Sequence, residues 1–361
     1  VSGLIVDLFA GGGGASEGIR MALGRCPDVA INHDADAIAM HEANHPSTRH
    51  YHEDIFAVSP REATNGRPVS LLWASPSCTH FSRAKGGKPL NEQLRSLAWV
   101  VVDWAREVRP AVICLENVAE FQTWGPLLED GTVDRARAGE TFREFVSALV
   151  DLGYRVEWRV LNAADFGAPT SRRRLFLIAR CDGLSLAWPA PTHGQGLLPV
   201  RTAAECIDWK LPVPSIFGRT RPLAEKTLAR IEAGLQRYVF DAEKPFLVPD
   251  QAAVPFIIQT GYGERPGQAP RLLDLHAPLG TIVAGGAKVG LVYTWLAQRG
   301  VADIGMRMLQ PHELLAAQGF RPDYILTGTK TSQVARIGNS VCPQVAAAIV
   351  GALLPQQQVA A

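Results

Sequence analysis

Paired cysteines are missing from this chain. Its six cysteines, Cys26, Cys78, Cys114, Cys181, Cys206 and Cys342, include no C-x-x-C pair. That spacing argues against a disulfide framework and a zinc cluster, and for reduced thiols. An excess of charge is missing too: 36 Lys and Arg face 35 Asp and Glu, leaving a net charge of +1. A globally basic nucleic-acid binder is thereby disfavoured, and any phosphate-binding surface must be local. No apolar run approaches the ~18 to 20 residues that span a bilayer, so no membrane partner is expected. The opening Val1-Ser2-Gly3-Leu4-Ile5-Val6-Asp7 has no basic segment and no small-residue cleavage site, and reads as a first core strand, not a secretory leader. There is no internal repeat and no low-complexity tract apart from Gln356-Gln357-Gln358. What these absences leave is a soluble, cytoplasmic globular protein, 47% hydrophobic and 20% charged. Its 361 residues exceed the ~150 of a typical domain, which predicts two.

Apolar runs at residues 4–9, 29–32, 69–74, 111–115, 154–162 and 174–179 alternate with helical patterns at 15–23, 35–43, 91–108 and 140–152. Short buried strands separated by amphipathic helices predict an α/β fold, with a doubly wound, mainly parallel sheet covered on both faces. From Trp188 the texture changes to Pro- and Gly-punctuated segments such as Leu211-Pro212-Val213-Pro214, Arg265-Pro266-Gly267 and Ala284-Gly285-Gly286. Within this part the pattern predicts a helix over 223–236 and strands over 256–259 and 281–283. Helices are expected again at 311–318 and 343–354. The expected division is a first domain of residues 1–186 plus 325–361 and a second, smaller one of residues 187–324.

The first strand runs into Asp7-Leu8-Phe9-Ala10-Gly11-Gly12-Gly13-Gly14 and then a helix, an arrangement that brings backbone amides close to a ligand at the sheet's carboxyl edge. Asp34 ends the second strand, at a spacing suited to ribose hydroxyls. Asp54-Ile55 ends the third, where a carboxylate can accept from an adenine amino group. A dinucleotide fingerprint needs a third glycine where this chain has Ser16, so NAD is the weaker reading.

Downstream, Ser75-Pro76-Ser77-Cys78-Thr79-His80-Phe81-Ser82 presents a thiol on a loop after an apolar run. Glu116-Asn117-Val118 ends a later strand, and Arg172-Arg173-Arg174 supplies cationic donors. Together these make a nucleophile, a carboxyl group, cationic donors and a cofactor cradle. Local phosphate-binding candidates are Arg83, Lys85 and Lys88, the arginine run, and the stretch holding Arg219, Arg221, Lys226 and Arg230. His41-Glu42-Ala43-Asn44-His45 spells the H-E-x-x-H of zinc proteases, but Pro46 follows and breaks the helix that motif requires. A capped surface helix with no metal is expected there.

In order and spacing, these motifs resemble the cytosine-5 DNA methyltransferases over almost the whole chain. Residues 7–14 are similar to that family's first motif, 78–82 to its cysteine loop, 116–118 to its E-N-V, 167–174 to its Q-x-R-x-R region, 307–320 to its ninth motif and 338–341 to its closing G-N-S-V. The resemblance implies a Rossmann-like fold that binds S-adenosylmethionine. Its cofactor-binding residues would be Asp7, Phe9, Gly11, Gly13, Gly14, Asp34, Asp54, Ile55, Asn339, Ser340 and Val341. It implies that Cys78 attacks carbon-6 of a flipped-out cytosine, assisted by Glu116, Asn117, Arg172 and Arg174. Residues 187–324 would recognise double-stranded DNA. The implied setting is a bacterial or phage enzyme acting as a monomer, alongside a cognate restriction endonuclease. The alternatives are a tRNA cytosine-5 methyltransferase of the same family and an inactive binding module. Four positions depart from the family pattern: Ser77 and Thr79 flank Cys78 where the family has Pro-Cys-Gln, with Pro76 one place earlier, Thr170 replaces a glutamine, and Asp34 replaces a glutamate.

Overall fold

A strand buried on both faces needs apolar residues throughout, and the sequence supplies several such runs. The computed structural model describes residues 2–76, 97–126, 128, 132, 134–248, 251–261, 267–286, 288–298 and 300–354. It divides into two compact units: Val1–Phe166, Arg173–Pro191 and Ser340–Ala361 form the first, Gly167–Arg172 and Thr192–Asn339 the second.

The first unit is built on a seven-stranded sheet of order β3-β2-β1-β4-β5-β7-β6. Its strands are β1 (Leu4–Leu8), β2 (Val29–Asn32), β3 (Arg49–His52), β4 (Val69–Ala74), β5 (Val112–Asn117), β6 (Arg155–Asn162) and β7 (Arg173–Arg180). β7 runs antiparallel to both of its neighbours, and the other pairings are parallel. Flanking helices are α1 (Gly14–Leu23), α2 (Ala35–Asn44), α3 (Pro60–Thr64), α4 (Trp99–Val108) and α5 (Glu140–Asp151). Val6, Leu8, Leu72, Trp104, Ile113, Phe121 and Phe145 belong to one continuous core beneath them. Strand order reverses between β1 and β4, and the crevice outside the carboxyl ends at such a point is where open α/β sheets bind ligands.

The second unit holds an antiparallel sheet of order β11-β10-β8-β9, made of β8 (Ala253–Gln259), β9 (Leu272–Leu273), β10 (Val289–Ala297) and β11 (Gly300–Met308). Its helices are α6 (Glu225–Leu235), α7 (Pro311–Gln318) and α8 (Lys330–Asn339). Ile231 of α6 is buried in one cluster with Phe256, Ile258, Val292 and Met306. A buried bidentate pair, Arg307 to Glu313 at 2.7 Å through both nitrogens, ties the end of β11 to α7. The last helix, α9 (Pro343–Leu353), returns to the first unit, where Gly18 of α1 leaves no room for a Cβ beside the Pro343 carbonyl, 2.6 Å away.

Two expectations change. Residues 281–283 form no strand: Ile282 gives its carbonyl to the Arg172 side chain, not to a ladder. The β10–β11 hairpin and α8 fall where the sequence pattern predicted no element. The helix expected over 91–108 is described from Trp99, and residues 91–96 lie outside the described residues.

Candidate active site

Beyond β1 the chain turns through Phe9 (φ 60), Gly11 (φ 53) and Gly13 (φ 84) before α1 begins at Gly14. A left-handed phenylalanine is uncommon, and such strain is held only where the surroundings dictate it. Any Cβ on Gly14 would collide with the Val341 carbonyl, and Ser340 Cβ would lie 3.1 Å away. The first and last motifs of the chain therefore meet here. Ser340 and Val341 are buried in the first unit, whereas Asn339 is exposed as the final residue of α8 in the second.

Carboxylates mark the ends of three adjacent strands. Asp7 of β1 is fully buried; Ser16 donates to its Oδ2 at 2.6 Å, and its Oδ1 has no hydrogen-bond partner among the described residues. Burial pushes the Asp7 carboxyl up to about 7, against the lowering effect of Ser16. Asp34, after β2, caps α2 by accepting at Oδ1 from the amides of Asp36 and Ala37. Asp54, after β3, accepts from the Phe56 amide at 3.1 Å and precedes buried Ile55. Capping fixes both carboxylates at the sheet's edge. An unpartnered buried carboxylate oxygen, an aromatic ring at Phe9 and a side-chain-free turn fit a cationic adenosyl sulfonium such as S-adenosylmethionine.

Glu116 is the penultimate residue of β5, buried, with Arg174 Nε 3.3 Å from its Oε1. The next residue, Asn117, donates from Nδ2 to the Pro76 carbonyl at 3.3 Å and accepts the Val118 amide at 2.8 Å. Asn117 thus holds the chain two residues before Cys78. Cys78 itself lies outside the described residues, as do Thr79, Arg83, Lys85, Lys88 and Arg265. Arg172 does not accompany Arg174. It is buried in the second unit, where Nη1 donates to the carbonyls of Gly338 (3.0 Å) and Ile282 (3.4 Å). Thr170, at the departing glutamine position, is buried nearby and bridges Leu279.

The basic stretch 219–230 is split by the fold. Arg219, Arg221 and Lys226 are exposed, but Arg230 is buried in α6 and cannot meet phosphate. In the H-E-x-x-H stretch, α2 ends at Asn44, as Pro46 predicts, and His45 leaves helical geometry at φ −132. His41 is wholly buried, against the expected surface helix. It bonds to Ser16 and His50, a set the sequence reading passed over because the three residues share no motif.

Comparison with known proteins places these features in a wider group. The sequence model for C-5 cytosine-specific DNA methylases matches residues 4–197 and 281–354. A type II methyltransferase of Haemophilus parahaemolyticus is 26% identical over 358 residues, covering 97% of this chain and 86% of its own. The type II methyltransferase M.NgoBI of Neisseria gonorrhoeae is 26% identical over 340 residues, 93% of this chain and 88% of its own. Among solved structures, a DNMT2 mutant of Spodoptera frugiperda superposes with a TM-score of 0.63 over 98% of this chain and 99% of that one; at 16% identity this likeness speaks for the fold.

Proposed function

Because the chain belongs to the C-5 cytosine-specific DNA methylase family, and is thus an S-adenosylmethionine-dependent DNA methyltransferase, we propose that it methylates carbon-5 of a flipped-out cytosine in duplex DNA through a covalent bond to Cys78. Bound S-adenosylmethionine supplies an electrophilic methyl group. The Cys78 thiolate adds to carbon-6 of the ring, which makes carbon-5 nucleophilic; after methylation, loss of the carbon-5 proton with cleavage of the carbon-6–sulfur bond would restore the aromatic ring and release the thiolate. Glu116 hydrogen-bonds ring nitrogen-3 and the exocyclic amine as the thiolate adds, and Arg174 donates to the ring carbonyl. Arg172 keeps the closing motif in place by holding the Gly338 carbonyl. Residues 187–324, with exposed Arg219, Arg221 and Lys226, grip the duplex while the base is out of the stack. A cognate endonuclease with the same target sequence is the expected companion.

The observation that carries this reading is the junction of Glu116 with Arg174 and of Asn117 with Pro76. A buried carboxylate with a cationic neighbour, followed by an Asn117 that reaches the Pro76 carbonyl, supports the reading. The test uses random-sequence duplexes containing 5-fluorocytosine, incubated with protein and S-adenosylmethionine. Fluorine at carbon-5 cannot leave as the proton does, so a denaturant-resistant adduct is expected with the wild type and none with Cys78→Ser. Absence of an adduct, or methyl transfer to tRNA without transfer to DNA, would overturn the reading.

A further inference from the structure

The methyl-transfer reading leaves His41 without a role, yet this histidine is fully buried and bonded at both nitrogens. Nε2 lies 2.8 Å from Ser16 Oγ, and Ser16 donates to Asp7 Oδ2 at 2.6 Å. On the other side of the ring, Nδ1 lies 2.7 Å from Nε2 of half-buried His50. Four side chains form an unbranched file from β3 through α2 and α1 to β1.

Proton counting gives this file two states. Ser16 has one hydroxyl proton to donate. If it donates to Asp7, it accepts from His41 Nε2–H, so His41 Nδ1 is an acceptor and His50 Nε2–H the donor. In the reverse state Asp7 carries the proton and donates to Ser16, Ser16 donates to His41 Nε2, and His41 Nδ1–H donates to His50. Passing from the second state to the first moves one proton from the Asp7 carboxyl to the His50 imidazole. Each group between gives one proton and takes one, and no co-reactant is needed.

We infer that Ser16, His41 and His50 are positioning residues for the cofactor, a proton wire through which His50 sets the charge of Asp7 beneath the glycine turn. The inference rests on the reading that this turn binds S-adenosylmethionine. The sulfonium of that molecule is cationic, whereas its demethylated product has a neutral sulfur. A charged Asp7 therefore favours the methyl donor over the spent product, and the unpartnered Oδ1 is the acceptor left over once Ser16 has taken Oδ2.

The surroundings suit a relay. Burial, with His45 and His50 adding to it, holds His41 well below the usual imidazole range, so it passes a proton without keeping one. His50 is also lowered by burial, with Glu42 and the Thr48 backbone opposing. The other groups nearby are engaged. Glu17 pairs with Arg20 at 2.7 Å, and the His45 ring, 4.6 Å from that of His41, meets the Cys26 sulfur at 3.4 Å.

Two measurements on the full chain test this. Infrared titration of the cofactor-free protein follows the carbonyl band of protonated Asp7, assigned with Asp7→Asn. Calorimetry follows binding of S-adenosylmethionine and S-adenosylhomocysteine across neutral pH. Donor affinity is expected to rise as the Asp7 band disappears, with product affinity nearly flat. Ser16→Ala and His50→Phe are expected to move the band's midpoint upward and cut the donor-over-product preference by roughly threefold or more. Variants that bind product normally but leave both midpoint and preference unchanged would overturn the wire. Wild-type protein that binds neither ligand at any pH would instead overturn the cofactor reading, while the infrared titration still reports on the wire.

Discussion

Glu116 sits in a site that admits little water, and its only charged neighbour within 4 Å among the described residues is Arg174. In the proposed reaction this group exchanges a proton with ring nitrogen-3, accepting as the carboxylate and donating as the carboxylic acid, whereas a glutamine of the same shape cannot. Glu116→Gln is therefore expected to lower the single-turnover methylation rate by about 10²-fold or more, with S-adenosylmethionine affinity unchanged by calorimetry. Arg172 acts differently, because its partners are backbone carbonyls and its side chain is buried. Arg172→Ala leaves those carbonyls unsatisfied and should cost about 1–3 kcal/mol, read as a lower Tm. Lysine lacks the planar fork and should not restore it. Glu116 and Asn117 were legible in the sequence because they close an apolar run. The clamp was not legible, since Ile282 and Gly338 lie 110 and 166 residues away from Arg172.

α2 begins on Asp34, so the carboxylate proposed to hold the cofactor's ribose also caps a helix. The two roles separate by substitution. Asp34→Ala removes both, and should lose about 1 kcal/mol of stability in denaturant melts as well as cofactor affinity. Asp34→Asn keeps the cap's acceptor and should lose affinity alone; equal stability loss in both variants would count against the assignment. α1 offers a harsher case, because Gly14→Ala has nowhere to put its methyl group except against the Val341 carbonyl. The expected result is weakened S-adenosylmethionine binding together with a lowered Tm. Most elements of the first unit were readable from alternating apolar and amphipathic runs, but the Arg49-His50-Tyr51-His52 strand has no apolar run, and the short α3 and the antiparallel direction of β7 were not read. In the second unit, β10 is buried along its first six residues and shows no period of two, so the hairpin with β11 gave no alternation to read. Residues 281–283 have strand-like composition but serve Arg172 and the close approach of Gly338 to Ala284.

Over the whole chain the two units are interleaved, and Gly167–Arg172 group with the second because Ser171 and Leu279 exchange backbone bonds with their neighbours there, a pairing no local pattern announces. The first unit also carries an unusual pH signature, since its central carboxyl is buried with a single hydrogen bond among the described residues. Burial raises the Asp7 carboxyl from its ordinary 3.8 to about 7, so between those values the native state holds the extra proton. Its contribution to stability is present below the lower value and lost as pH rises through about 7, the reverse of a salt-bridged carboxylate. His41 works in the opposite direction: kept neutral by burial, it costs stability as pH falls below 6.5, where the unfolded imidazole takes up a proton. Asp7→Asn removes only the first effect. Its Tm advantage over the wild type should be small near about pH 4 and grow to several degrees near about pH 8, while S-adenosylmethionine binding weakens, as expected where stability is given up at a functional site. A Tm difference that stays flat with pH would mean that Asp7 does not change its charge across this range, and the cradle would then have to recognise its sulfonium ligand by other groups.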